Sequence, residues 1–200
     1  VIAGNGSSTR TVAVTNKDGS GREETTFAYS ADGKTVTTSR DIDGNGSIEA
    51  KTVDQTSTLS GGVVRREVSE FAGNNTLLSR QQVDRGADRR VTTTREDIDG
   101  DGQWDQISTK TQGTDGETVT DVDRFAPNGT LVSSVSTIVS ADGLSTTVLE
   151  DRDGDGIIER DELSDTVLQT NGIRKTTISE RNGDGSLRTR EQHFVSDDGL

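Results

Sequence analysis

The chain repeats itself, and that period limits the folds open to it more than any other feature. Asp41-Ile42-Asp43-Gly44-Asn45-Gly46, Asp97-Ile98-Asp99-Gly100-Asp101-Gly102 and Asp151-Arg152-Asp153-Gly154-Asp155-Gly156 recur at intervals of 56 and 54 residues. A second loop series, Phe71 to Thr76 and Phe125 to Thr130, is again 54 apart. Between these loops lie Gly33, Gly61, Gly86, Gly116, Gly143, Gly172 and Gly199, mostly in Asp-Gly, Gly-Gly or Asn-Gly pairs, with Arg85-Gly86-Ala87-Asp88 the least regular. The unit is a loop, an arm of about ten residues, a tight turn and a second arm, about 27 residues in all. A unit that short cannot enclose a core; it must stack on its neighbours.

The arms are rich in Thr, Val and Ser, with apolar residues tending to alternate, and they read as β-strands. Asp-Gly between two such arms is a hairpin signal, and a type I′ turn with positive φ at both central residues is expected. Folding about Asp32-Gly33 places Tyr29 opposite Val36 and Phe27 opposite Thr38. The same fold about Asp142-Gly143 places Val139 opposite Thr146 and Thr137 opposite Val148. One face then collects Phe27, Tyr29, Ala31 and Val36, the other hairpin Val135, Val139, Leu144 and Val148. The stripe is thin, since only 26% of the 200 residues are hydrophobic, with one Trp and one Tyr.

The expected fold class is all-β: a tandem array of antiparallel hairpins with the long loops along one edge. A parallel β-solenoid of 27-residue coils is the alternative, because repeats alone do not set strand direction. Val195 to Leu200 matches Val139 to Leu144, and Val1 to Ser7 resembles the loop at Phe71. The whole chain is therefore expected to be one continuous extended array, an excerpt of a longer one, with double repeats over 1–43, 44–99, 100–153 and 154–200.

Composition removes several functions. A net charge of −13 opposes nucleic-acid binding, which needs Lys and Arg against phosphates. With no Cys there are no disulfides or thiolate metal sites. No run approaches 18 apolar residues, so no helical membrane span is expected. His193 is the only histidine and is expected at the surface or satisfied, which leaves no multi-His site. Carboxylate pairs of the kind glycosidases use are abundant, but the periodic acids have another explanation and a thin sheet offers no deep pocket. No catalytic residues and no enzyme activity are expected.

That other explanation is metal. In the three Asp-rich loops oxygen-bearing side chains stand at positions 1, 3 and 5 (Asp41, Asp43, Asn45; Asp97, Asp99, Asp101; Asp151, Asp153, Asp155). Position 9 is Glu49, Asp105 and Glu159, position 8 the apolar Ile48, Trp104 and Ile158. Gly at position 6 permits the sharp turn. Ser47, Gln103 and Ile157 at position 7 complete the candidate metal set. Turn propensity explains Asp and Gly, but not acids gathered at these positions against their mutual repulsion. The pattern resembles the calcium loop of EF-hand proteins and dockerins. That resemblance implies Ca2+ as the cofactor. Glu162 falls at position 12 of the third loop and gives the full ligand pattern; Thr52 and Ser108 depart from it, which implies weaker binding there. The helices that flank an EF-hand are not evident. Weaker metal candidates are Asn16, Asp18, Ser20 and Glu24, and Glu180, Asn182 and Asp184. The Asn-bearing loops at 73–76 and 127–130 read as plain turns. Trp104 is expected to pack on its loop rather than serve as a sugar platform.

With recurrent calcium-type loops on hairpin arms, the chain resembles large repetitive calcium-dependent surface proteins of bacteria, including adhesins and proteins of the type I secretion route. The Gly-rich RTX nonapeptide is absent. The resemblance implies export as an unfolded chain and folding outside the cell when calcium binds. Three divalent ions would bring the net charge from −13 to −7. The expectation is a calcium-stabilised structural region of an extracellular protein, a stalk, filament or matrix element, whose partners are its own neighbouring repeats. A carbohydrate- or surface-binding adhesin module and a self-assembling filament subunit, a homo-polymer, are the alternatives. Receptor and glycan are not legible.

Overall fold

Thr, Val and other β-branched residues suit an extended, half-exposed backbone, and the computed structural model bears this out over the residues it describes, 1–170 and 172–196. The strands are β1 (Ser8–Thr15), β2 (Gly21–Tyr29), β3 (Thr35–Asp41), β4 (Ala50–Thr58), β5 (Val64–Ala72), β6 (Leu77–Arg85), β7 (Val91–Asp97), β8 (Gln106–Gln112), β9 (Thr118–Phe125), β10 (Leu131–Val139), β11 (Ser145–Asp151), β12 (Arg160–Leu168), β13 (Arg174–Asn182) and β14 (Leu187–Val195). One 3-10 turn at Ser60–Gly62 is the only helical element among the described residues. The turn expected at Gly199, the matching segment at 197–200 and Asn171 lie outside them.

The chain divides into two compact units, residues 1–89 with 93–105 and residues 90–92 with 106–200. Within each, sheet order is chain order, and consecutive strands pair antiparallel as hairpins in an open sheet that is not closed into a barrel. The parallel solenoid is thereby excluded.

Register follows the hairpin centres read from the sequence: Tyr29 pairs with Val36, Phe27 with Thr38, Val139 with Thr146 and Thr137 with Val148. The turn chemistry does not. A type I′ turn needs two residues at positive φ, but only Gly33 (φ 69°) is left-handed in its hairpin, and its N–H donates to the Ser30 carbonyl. Asp32 earns its place with its side chain, which accepts from the Ser30 hydroxyl (2.6 Å) and the Lys34 N–H (3.1 Å). Ser140, Asp142 and Leu144 repeat that arrangement. The irregular turn after Arg85 has the same shape with Arg89 at the left-handed position (φ 62°), its N–H on the Gly86 carbonyl.

No apolar residue among those described is buried; the buried ones are Asp41, Ser69, Gln82, Asp97, Asp151 and Ser179. On the expected apolar faces Phe27, Val36, Val135, Val139 and Val148 are half-buried, while Tyr29 (36%) and Leu144 (44%) are exposed. None of them is withdrawn from water as in a closed core, so hydrocarbon burial contributes less here than in an ordinary domain. Between the loops the strands are held by their ladders, by threonine pairs (Thr11 with Thr26, Thr166 with Thr176) and by ion pairs across strands. Asp84 joins two of these ion pairs: it accepts from Arg65 through two nitrogens (2.7 Å each), from Arg95 (2.9 Å) and from Gln82 (3.1 Å).

The Arg65 hydrogen bonds, reinforced by Arg95, outweigh desolvation and hold the Asp84 carboxyl below its ordinary pKa. A depressed carboxylate contributes stability above its unfolded pKa of about 3.9, and that contribution disappears as pH falls through the lower folded value. Asp84→Asn is expected to lower stability by about 1–2 kcal/mol at neutral pH. Urea unfolding of both proteins across pH should show the gap closing below about pH 4; a gap independent of pH would contradict this role.

Candidate metal centres

Each Asp-rich loop opens on the last residue of a strand. Asp41 ends β3, Asp97 ends β7 and Asp151 ends β11. The residue at position 9 closes the loop by donating its N–H to the carbonyl just before that aspartate: Glu49 to Arg40 (2.9 Å), Asp105 to Glu96 (2.8 Å) and Glu159 to Glu150 (2.9 Å). Between these points the chain turns so tightly that glycine at positions 4 and 6 is left-handed in all three loops, with φ between 73° and 90°.

The turn aims backbone N–H groups inward. Asp41 accepts from Gly44 (2.7 Å), Asn45 (3.2 Å) and Gly46 (2.7 Å); Asp97 from Gly100 (2.8 Å) and Gly102 (3.2 Å); Asp151 from Gly154 (2.7 Å) and Gly156 (2.9 Å). The position 9 carboxylate accepts from the position 2 N–H: Ile42 to Glu49, Ile98 to Asp105 and Arg152 to Glu159, at 2.6–2.7 Å. Positions 3 and 5 each accept an N–H two residues on, as in Asp43 from Asn45 and Asp155 from Ile157. Burial alone would raise the Asp41 carboxyl, but the Gly46, Gly44 and Asn45 donors overcome it and hold its pKa below the ordinary value.

The result is a set of convergent oxygens. One carboxylate oxygen from each of Asp41, Asp43 and Glu49, from each of Asp97, Asp99 and Asp105, and from each of Asp151, Asp153, Asp155 and Glu159 lies within 4.8 Å of the others. At that distance each pair of charges repels by about 1 kcal/mol even at the dielectric of water. Position 1 is also sequestered, with Asp41 6%, Asp97 1% and Asp151 3% exposed. Three or four close carboxylates are oxygen donors of the kind that hard cations take. These clusters can hold metal ions.

Of the other expected acidic ligands, Asp101 and Glu162 lie outside the converging carboxylates. Asp101 accepts the Gln103 N–H (2.7 Å) but lies outside its cluster; Asn45 donates to Asp43 and accepts from Ser47. Ser47, Gln103 and Ile157 donate their N–H groups to position 5. Glu162 lies in β12 with its carboxylate on Arg160 (2.9 Å), outside the third cluster. In an EF-hand position 12 is carried back by a helix; here a strand follows, and three extended residues span about 10 Å.

In the weaker candidates the side chains satisfy one another. Asp18 takes the Ser20 hydroxyl and N–H, Asn16 donates to Ser20, and Asn182 and Asp184 bond Ser186 in the same manner. The Ser20 and Ser186 hydrogen bonds hold Asp18 and Asp184 below their ordinary pKa. Glu180 accepts from Arg160 (2.7 Å), and Glu24 stands across the ladder from Asp41, placing it beside the first cluster rather than with residues 16–20. Neither weak loop appears among the carboxylate groups that converge in the described residues. His193 is exposed, 3.5 Å from Glu191.

Sequence reasoning missed Arg80. Its guanidinium covers one face of the Trp104 ring (4.0 Å to the centroid), and it bonds the Gly102 carbonyl (3.2 Å) and reaches Asp97 (3.5 Å). The available signal was a constant offset. Glu24, Arg80 and Ser134 each precede the first aspartate of a loop by 17 residues, and Glu24 and Ser134 are the ladder partners of Asp41 and Asp151.

The loops also seat on adjacent hairpins. A β-carbon at Gly44, Gly100 or Gly154 would overlap backbone at Gly21, Leu77 or Leu131, where the preceding strand begins. On the other side, β-carbons at Gly73 and Gly183 would overlap the Ile48 and Ile158 carbonyls. No protein-family model and no curated protein matches the sequence.

Gly154 and Gly156 are both left-handed, but only Gly154 is crowded; nothing lies within 4 Å of a β-carbon at Gly156. Gly156→Ala is expected to lose about 1–2 kcal/mol from φ alone. Gly154→Ala should lose at least about 2 kcal/mol more, because backbone must part. Chemical denaturation of the two variants compares them, and equal losses would show that the loop does not bear on β10.

Proposed function

We propose that the chain is a calcium-stabilised structural repeat region of an extracellular protein, serving as a stalk, filament or matrix element. The observation that carries this reading is where burial falls. Among the described residues no apolar side chain is buried, and the first aspartate of each loop is one of the few sequestered residues, close to other carboxylates. Such an arrangement is balanced by a cation or by inward N–H donors, and the donors engage only part of the lone pairs.

Calcium suits the donor set better than other divalent ions. All candidate ligands are oxygens, which disfavours zinc and copper, and the loops offer flexible, irregular geometry that the octahedral demand of magnesium does not favour. With Glu162 held on Arg160, bidentate ligation from position 12 is missing in every loop. Affinity then falls in the range of extracellular modules, about 10⁻⁴–10⁻³ M. Sites that weak fill outside cells and stay empty at cytosolic calcium. Load-bearing work suits a polar sheet whose order depends on repeated cross-links.

Trp104 sits within the second loop and can sensitise terbium, a calcium surrogate. Terbium added to the intact chain should give Trp-sensitised emission that calcium displaces and that Asp97→Asn with Asp99→Asn abolishes. Calorimetry should count three ions, with circular dichroism gaining strand signal as they bind. A chain that takes up no metal at millimolar calcium, with an unchanged spectrum, would overturn the proposal.

A further inference from the structure

We propose that Arg80 is a built-in counter-ion of the second metal loop, and that the residue 17 positions before each loop's first aspartate sets how strongly that loop holds its cation. The inference rests on the metal-binding reading above and extends it to a difference among the three sites.

The three loops share one scaffold. Strand end, closing hydrogen bond, glycine conformations and inward N–H donors are common to all, so differences in affinity come from side chains, those of the converging carboxylates and those placed around them. At the offset of 17 the chain carries an acid beside the first loop (Glu24), a cation beside the second (Arg80) and a neutral hydroxyl beside the third (Ser134). Ser134 is turned to another partner, donating to Asp123 at 2.7 Å.

Arg80 is held in place rather than free in solvent. Its side chain is 25% exposed, its guanidinium lies over Trp104 and bonds the Gly102 carbonyl, and one of its nitrogens, Nε, has no hydrogen-bond partner. Nη2 approaches Oδ2 of Asp97, whose side chain is fully buried. That oxygen is also the acceptor for the position 6 glycine. The corresponding bond is 2.7 Å from Gly46 and 2.9 Å from Gly156, but 3.2 Å from Gly102, so the glycine bond is longest where the arginine shares the acceptor.

A fixed positive charge at this place does two things. It offsets part of the carboxylate repulsion, so the second loop holds its shape with the least help from metal. It also repels an incoming divalent ion and engages an oxygen the ion needs, which makes this loop the weakest binder. The first and third loops, with an acid and a neutral hydroxyl at the offset, carry no such cation. Filling the sites in order of rising calcium then orders the second loop last.

Terbium and calcium titrations of the intact chain test this, with Trp104 emission reporting the second loop and calorimetry the whole set. Arg80→Gln should tighten the Trp104-reported binding about tenfold, the effect of removing one charge close to a divalent ion, while Arg80→Lys stays near the parent value. Ser134→Arg, the ladder partner of Asp151, should weaken the third site by a similar factor and leave the Trp104 signal unchanged. Metal uptake with Arg80→Gln no tighter than the parent, or Ser134→Arg without effect, would overturn the counter-ion role alone. Absence of uptake in the parent and in all three variants would overturn the metal reading beneath it as well.

Discussion

Carboxylates gathered out of water are the constraint to which the rest of this structure answers. Ordinary domains bury hydrocarbon and expose acids; here the described residues bury no apolar side chain, and Asp41, Asp97 and Asp151 are buried. Charge cannot be sequestered at neutral pH without compensation. The fold supplies some of it through glycine N–H groups at positions 4 and 6 and through closing bonds at position 9. Those donors orient the oxygens toward a common point, and a cation at that point would turn the repulsion into attraction.

The same geometry explains the architecture of the repeat. Glycine at position 4 permits the loop backbone to lie against the start of the preceding strand, and Gly73 and Gly183 permit the following turn to lie against the loops at Ile48 and Ile158. Anything that orders the loop therefore braces the hairpins beside it. Such bracing matters in a sheet whose remaining support is ladder hydrogen bonds and ion pairs such as Arg65 with Asp84, each a modest contribution.

Much of this was legible in the sequence because it depends on period and local pairing. Turn centres set register, so Phe27 opposite Thr38 and Val139 opposite Thr146 followed from counting. The acidic loops were legible because the acids at positions 1, 3 and 9 recur in the sequence and converge in space. The turn type was not, since Asp-Gly pairs serve two different turns and the choice depends on whether Asp32 supplies its φ or its side chain. Arg89 shows the same ambiguity, taking a left-handed conformation that composition assigns to glycine. Glu162 matched a ligand position only while a helix was assumed to follow. Arg80 was hidden for a different reason: strand pairing brings together residues 17 apart, and nothing local to Arg80 points to Asp97.

The most direct measurement is equilibrium urea unfolding of the intact chain across a range of free calcium. Binding to the folded state alone raises stability by RT ln(1 + [Ca]/Kd) per site, so the account predicts a midpoint that climbs steadily with calcium and approaches zero urea in chelator. Stability that is the same in chelator as in millimolar calcium would contradict it, because the sheet would then stand without its cations.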